Sequence, residues 1–110
     1  MTDTRIVLST AGSEDEARKI ALYLVQHRMA ACVNIVPQVE SIYRWQDQVE
    51  SNREWLLVIK TTAEAFAAVR DTIQEMHSYE MPECIVLTIE DGGPAYLEWL
   101  KSSVREESDL

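Results

Sequence analysis

Basic residues are scarce in this chain: ten Lys and Arg stand against 19 Asp and Glu, for a formal net charge of −9. Phosphate binding rests on clustered cations, so DNA, RNA and anionic membrane surfaces are disfavoured partners, and the acidity reads as a solvated surface. Long apolar runs are also missing, and none reaches the roughly 20 residues of a membrane-spanning helix. Met1-Thr2-Asp3-Thr4-Arg5 holds no apolar stretch of the secretory kind, which makes the cytoplasm the expected compartment. The two cysteines, Cys32 and Cys84, lie far apart in apolar surroundings and form no C-x-x-C; they read as buried free thiols. Three glycines make no phosphate-cradling loop, and neither G-x-S-x-G nor H-E-x-x-H occurs. The turn at Thr10-Ala11-Gly12-Ser13 precedes a helix N-terminus, but Glu14, Asp15 and Glu16 already occupy that positive end.

What the chain does have is 46% hydrophobic residues, enough for one domain over 1–110 with a modest core. From Ala31 to Trp45 the odd positions Val33, Ile35, Val39, Tyr43 and Trp45 alternate with a more polar even set, the period of an extended strand. Such a strand spans roughly 50 Å, whereas a compact domain of this size has a radius of gyration near 13 Å. The strand therefore bends, breaks at Pro37 or projects, and an arm ending in Tyr43 and Trp45 calls for a partner surface. A polar connection over 46–52 leads into the returning strand Trp55-Leu56-Leu57-Val58-Ile59.

Around this hairpin, Arg5-Ile6-Val7-Leu8-Ser9 reads as a first strand. Ser13 and Glu16 form a capping box for an amphipathic helix over 13–28 with Ala17, Ile20, Ala21, Leu24 and Val25 on one face. Thr61 and Glu64 suggest a second box ahead of Phe66, Val69, Ile73 and Met76. A fourth, buried strand runs over 84–89. Pro94 opens a short helix whose expected buried side is Tyr96, Leu97, Leu100 and Val104, before a tail that frays from about 105. The order β-α-β-β-α-β plus a C-terminal helix predicts an α+β, ferredoxin-like sandwich. Right-handed crossovers place both long helices on one sheet face. Yet Ile6-Val7-Leu8, Leu56-Leu57-Val58-Ile59 and Ile85-Val86-Leu87 are apolar on both faces, so contact between subunits is expected to cover the other.

Reactive side chains concentrate in Met76-His77-Ser78-Tyr79-Glu80-Met81-Pro82-Glu83-Cys84. Met, His and Cys all suit copper, and thioether and thiolate favour its reduced form. Met76 and Cys84 have packing roles as well, and a closed zinc site needs four ligands in tetrahedral reach. His27 reads as a surface cap of the first helix. Tyr43 and Trp45 suit either a stacked small ligand or an intersubunit anchor.

Ala30-Ala31-Cys32-Val33-Asn34-Ile35-Val36-Pro37, Ser41-Ile42-Tyr43-Arg44-Trp45, Ile59-Lys60-Thr61, His77-Ser78-Tyr79-Glu80-Met81-Pro82-Glu83 and Tyr96-Leu97-Glu98-Trp99-Leu100 together resemble the CutA family of divalent-cation tolerance proteins. The resemblance covers roughly Val7 to Leu100. It implies a ferredoxin-like homotrimer, similar in shape to PII-type signalling trimers, with a non-enzymatic role in tolerance of copper and other divalent cations. Carried over by position, it makes His77 the metal ligand, with Met76 as a soft assistant. Trp45, Glu54, Lys60, Tyr79 and Glu83 are placed at a cleft between subunits. The family's further copper ligands, a cysteine and a second histidine, are replaced here by Ser9 and Met76. The alternative is a small-molecule sensing trimer with a metabolite in that cleft. An acylphosphatase-like enzyme ranks last, because it needs an arginine in the first strand–helix loop and 10–13 has none.

Overall fold

β-Branched and aliphatic residues from Thr4 to Ala11 form strand β1 (Thr4–Ala11), one of two inner strands of the sheet. The structure, a computed structural model, describes residues 2–106. In chain order there follow α1 (Glu14–Gln26), β2 (Cys32–Trp45), β3 (Gln48–Thr62), α2 (Phe66–Met76), β4 (Ile85–Thr88) and α3 (Pro94–Ser103). The four strands make one sheet in the order β2-β3-β1-β4, every pairing antiparallel.

Val7, Leu57 and Ile59 point to the face covered by α1 and α2, where they meet Ile20, Leu24, Val69 and Ile73 in one core. Both helices share this face, as right-handed crossovers require. The opposite face carries Ile6, Leu8, Leu56 and Val58, only half-buried, flanked by exposed Val36, Ile85 and Leu87. Pairing confirms that these residues share a face: Leu8 lies opposite both Val58 and Ile85. The fourth strand is correspondingly not buried. Beside β1 it forms an edge of four exposed residues, and it is shorter than the 84–89 expected. A second, small core of Ala65, Leu100 and Val104 sits where β1 begins, with Ala31 and Ile89 packed against it. Here α3 docks by its C-terminal half, leaving Tyr96 exposed with its ring tilted against Trp99. Of the tail expected to fray from about 105, Arg105 is held by its amide on the Arg28 carbonyl, and 107–110 lie outside the described residues.

The long hairpin projects. The domain measures 44 × 25 × 22 Å, and its radius of gyration of 14.4 Å exceeds the compact value. The expected polar connection over 46–52 is instead two residues, Gln46 and Asp47, after which Gln48 pairs with Trp45. Both turn residues have positive φ, 49° and 64°, the conformation that matches the twist of a tight hairpin. Polarity misleads there because both faces of the arm are in solvent, and a strand then needs no apolar alternation.

Within β2 the ladder slips between Val36 and Val39: Pro37 and Gln38 together oppose Trp55, and Gln38 takes φ 57°. This is a β-bulge, placed where proline has no N–H for the ladder. Before it, Val33 and Ile35 oppose Ile59 and Leu57 on the helix-covered face. Beyond it, Val39 opposes Glu54 and Trp45 opposes Gln48, which puts the odd residues on the open face instead.

The helix starts differ in one respect from expectation. Ser13 caps α1, its Oγ accepting the Glu16 amide at 3.2 Å. At α2 the N-cap, Ala65, has no side-chain cap; Thr62 accepts the Ala65 amide in the turn before the helix, while buried Thr61 donates to the Met29 carbonyl.

Candidate functional site

The end of β1, the segment after α2 and the middle of β3 converge on His77. This residue caps the C-terminus of α2, its amide on Ile73 O at 3.0 Å, and its imidazole is fully buried. Nε2 donates to the Thr10 carbonyl at 2.6 Å. Nδ1 lies 3.0 Å from the Tyr79 amide, which donates to it, and also 3.0 Å from Glu16 Oε1. A neutral ring with its proton on Nε2 satisfies the first two contacts. The third then sets two lone pairs against each other, unless a proton or a metal cation lies between them.

Glu16 was legible only as half of a capping box. Its amide does meet Ser13, but its carboxylate turns away from the cap and accepts from both the amide and hydroxyl of Ser78, at 3.2 and 3.1 Å. Sequence reasoning missed its place beside His77. The sole available signal was an acidic residue in a first turn facing the β1 end.

Tyr79 extends the site. Its hydroxyl donates to Glu54 Oε2 at 2.8 Å, and its ring tilts against His77 with centroids 4.5 Å apart. Burial, then the Glu54 hydrogen bond and its charge, push the phenol up to about 12. Glu54 is itself 7% exposed on β3. The carboxyl of Glu83 is raised above its ordinary range, first by burial and then by the charge of Glu54. Ser9 is buried and donates to the Glu83 carbonyl at 2.8 Å, a structural duty that anchors the segment to β1.

Of the five cleft candidates, one chain gathers Glu54, Tyr79 and Glu83. Trp45 stands at the hairpin tip, half-exposed, and Lys60 lies about 20 Å along β3 from Glu54 at a little over 3 Å per residue. The Lys60 ammonium donates to Asn34 Oδ1. Met76 packs against the main core, as does Cys84, whose thiol burial pushes up. Both cysteines are unpaired and half-buried. His27 is the exposed C-cap of α1, its Nδ1 donating to Tyr23 O and its ring stacked on Tyr23. Among the described residues no three His, Cys, Asp or Glu side chains form a metal-holding group, and no helix is long and apolar enough to cross a membrane.

Residues 5–103 match a protein family described as CutA1 divalent ion tolerance protein. A divalent-cation tolerance protein CutA of Thermus thermophilus is 47% identical over 98 residues, 89% of this chain and 95% of that protein. A chloroplastic CutA of Arabidopsis thaliana is 42% identical over 91% of this chain, which spans 55% of that protein's length. Among solved structures, the Cut A1 protein of Thermus thermophilus superposes with a TM-score of 0.91 at 45% identity, covering 93% of this chain and 99% of that one. A CutA from Archaeoglobus fulgidus, described as periplasmic, gives 0.89 at 37% identity, with 93% and 99% covered. Relatives so differently located set no compartment for this chain.

Proposed function

Because the chain belongs to the CutA1 divalent ion tolerance family, we propose that it acts as a non-enzymatic, cytoplasmic homotrimer in the response to divalent metal ions, binding copper weakly at His77. The observation that carries the copper reading is the 3.0 Å approach of His77 Nδ1 to Glu16 Oε1. An imidazole nitrogen and a carboxylate oxygen are competent ligands for a divalent cation of borderline softness. With Ser9 donating to a backbone carbonyl and Met76 packed in the core, two donors remain, which accords with weak rather than tight binding. Seating the ion costs the Tyr79 amide its bond to Nδ1.

The trimer is supported by the open sheet face and by Tyr43 and Trp45 on the exposed arm, apolar surface for which a second and third copy are the economical cover. The strand order and antiparallel pairings support the ferredoxin-like assignment. The small-molecule reading draws on the grouping of Glu54, Tyr79 and Glu83, with Trp45 and Lys60 supplied by a neighbouring copy.

Calorimetric titration with buffered Cu(II) and Cu(I) tests the proposal on wild type, His77→Ala and Glu16→Gln. Saturable binding of one ion per subunit, lost in the first variant and weakened in the second, is expected. Equal binding in all three would overturn the His77 site.

A further inference from the structure

Glu54 is the last buried residue on β3 before the solvent-exposed stretch of 48–53. It pairs with Val39, the first residue beyond the bulge, so its side chain stands at the root of the projecting arm. The ladder is weakest just there: one residue is unpaired, Pro37 offers no N–H, and Gln38 holds a left-handed backbone. A hinge is expected at such a point. What spans it is Tyr79, which belongs to neither strand of the arm. Its hydroxyl holds Glu54 at 2.8 Å, its ring is seated against Gly12, and its amide donates to His77. His77 in turn is fixed on the Thr10 carbonyl of β1. The arm's own side-chain hydrogen bonds, Ser51 to Glu40 and Asn52 to Tyr43, stay within it.

We propose that the Tyr79–Glu54 hydrogen bond is a latch that fixes the angle of the hairpin arm at its bulge and connects it to the state of the His77 ring. One residue, Tyr79, carries both contacts. Loss of the Nδ1 contact at its amide therefore frees the phenol to leave Glu54. The latch stands on the hydrogen bonds alone, while its release by a metal ion rests on the copper reading above.

Amide hydrogen exchange on the intact, metal-free protein tests the latch. In Tyr79→Phe, amides of 39–44 and 49–54 should exchange about ten- to a hundredfold faster, the worth of one hydrogen bond to a charged acceptor. Glu54→Gln keeps an oxygen for the phenol but loses the charge, and should accelerate exchange less than Tyr79→Phe. The amides of Val7 and Leu57 should be unchanged in both. Wild-type exchange in the arm of Tyr79→Phe, or equal acceleration at Val7, would overturn the latch. Buffered Cu(II) should then accelerate the wild-type arm and add nothing in Tyr79→Phe. Calorimetric binding without an arm response overturns the coupling. Absence of binding overturns the copper reading and leaves the latch to the metal-free result.

Discussion

Replacing Gly12 with alanine puts the Tyr79 contact under direct load. A Cβ at this position would stand 2.9 Å from the Tyr79 hydroxyl oxygen and 3.5 Å from the nearest ring carbons. The ring distances are ordinary contacts; at the oxygen distance something must shift, and the hydroxyl end of Tyr79 is what the Cβ meets. Gly12 does not use a positive φ, so the backbone itself accepts alanine. The substitution therefore has two opposed effects. Fewer unfolded conformations stabilise the variant by about 0.4–1 kcal/mol. Pushing the hydroxyl off Glu54 forfeits a hydrogen bond to a carboxylate, about 1.5–3 kcal/mol. The second wins, and Gly12→Ala should lose about 1–2 kcal/mol in urea unfolding at fixed protein concentration. In a Tyr79→Phe background the obstructing oxygen is gone and only the first effect survives, so the same change should stabilise. A double-mutant cycle reads this reversal of sign. Equal destabilisation in both backgrounds would refute the reasoning, because the alanine would then be clashing with something other than the hydroxyl.

Other expectations are simpler. Tyr79 keeps its proton in the folded state up to about pH 12 but loses it near 10 when unfolded, so its contribution is full below pH 10 and declines between 10 and 12; alkaline unfolding of Tyr79→Phe should lack that decline. Ser13→Ala removes the oxygen that receives the Glu16 amide and should cost about 1 kcal/mol by thermal or urea unfolding. Met76→Leu nearly conserves apolar volume, so the fold should survive with a loss under about 1.5 kcal/mol; abolished Cu(I) binding in that variant would show the thioether to be a ligand. If the proposed trimer forms through the arm, Trp45→Ala should lower the melting temperature measured alongside native mass, and unchanged values would defeat its role as an anchor.

The elements that read clearly in the sequence are those whose surroundings are local. Ile20, Leu24, Val69 and Ile73 fall at helical spacing because each helix meets the sheet along one stripe, and the structure buries all four. The two-sided apolarity of Ile6 and Leu8 likewise announced a face that the helices leave open. Where the reading failed, distant contacts decide. Glu16 looks like a cap until Ser78, far along the chain, comes to meet it. Tyr96 shares a stripe with Leu100 but lies beyond what a single chain covers. Polar 48–53 gave no sign of a strand, since in an arm the backbone ladder alone specifies one. The site was half legible: motif position singled out His77 and Tyr79, while the partners that define their chemistry, Thr10, Gly12 and Glu16, sit in an ordinary strand–turn–helix junction.

The bulge at Pro37 and Gln38 makes the arm a parity device. One supernumerary residue exchanges odd for even along everything distal to it, while pairing with β3 sets the face and turns Tyr43 and Trp45 toward the side of the sheet that the helices leave bare. Length changes in this hairpin are therefore not graded. Removing one residue from each strand between the bulge and Tyr43, such as Ile42 and its partner Ser51, shortens the arm and turns Tyr43 and Trp45 to the opposite side. Deleting Gln38 alone closes the bulge, leaves Val39 opposite Glu54, and keeps both aromatics on the bare face.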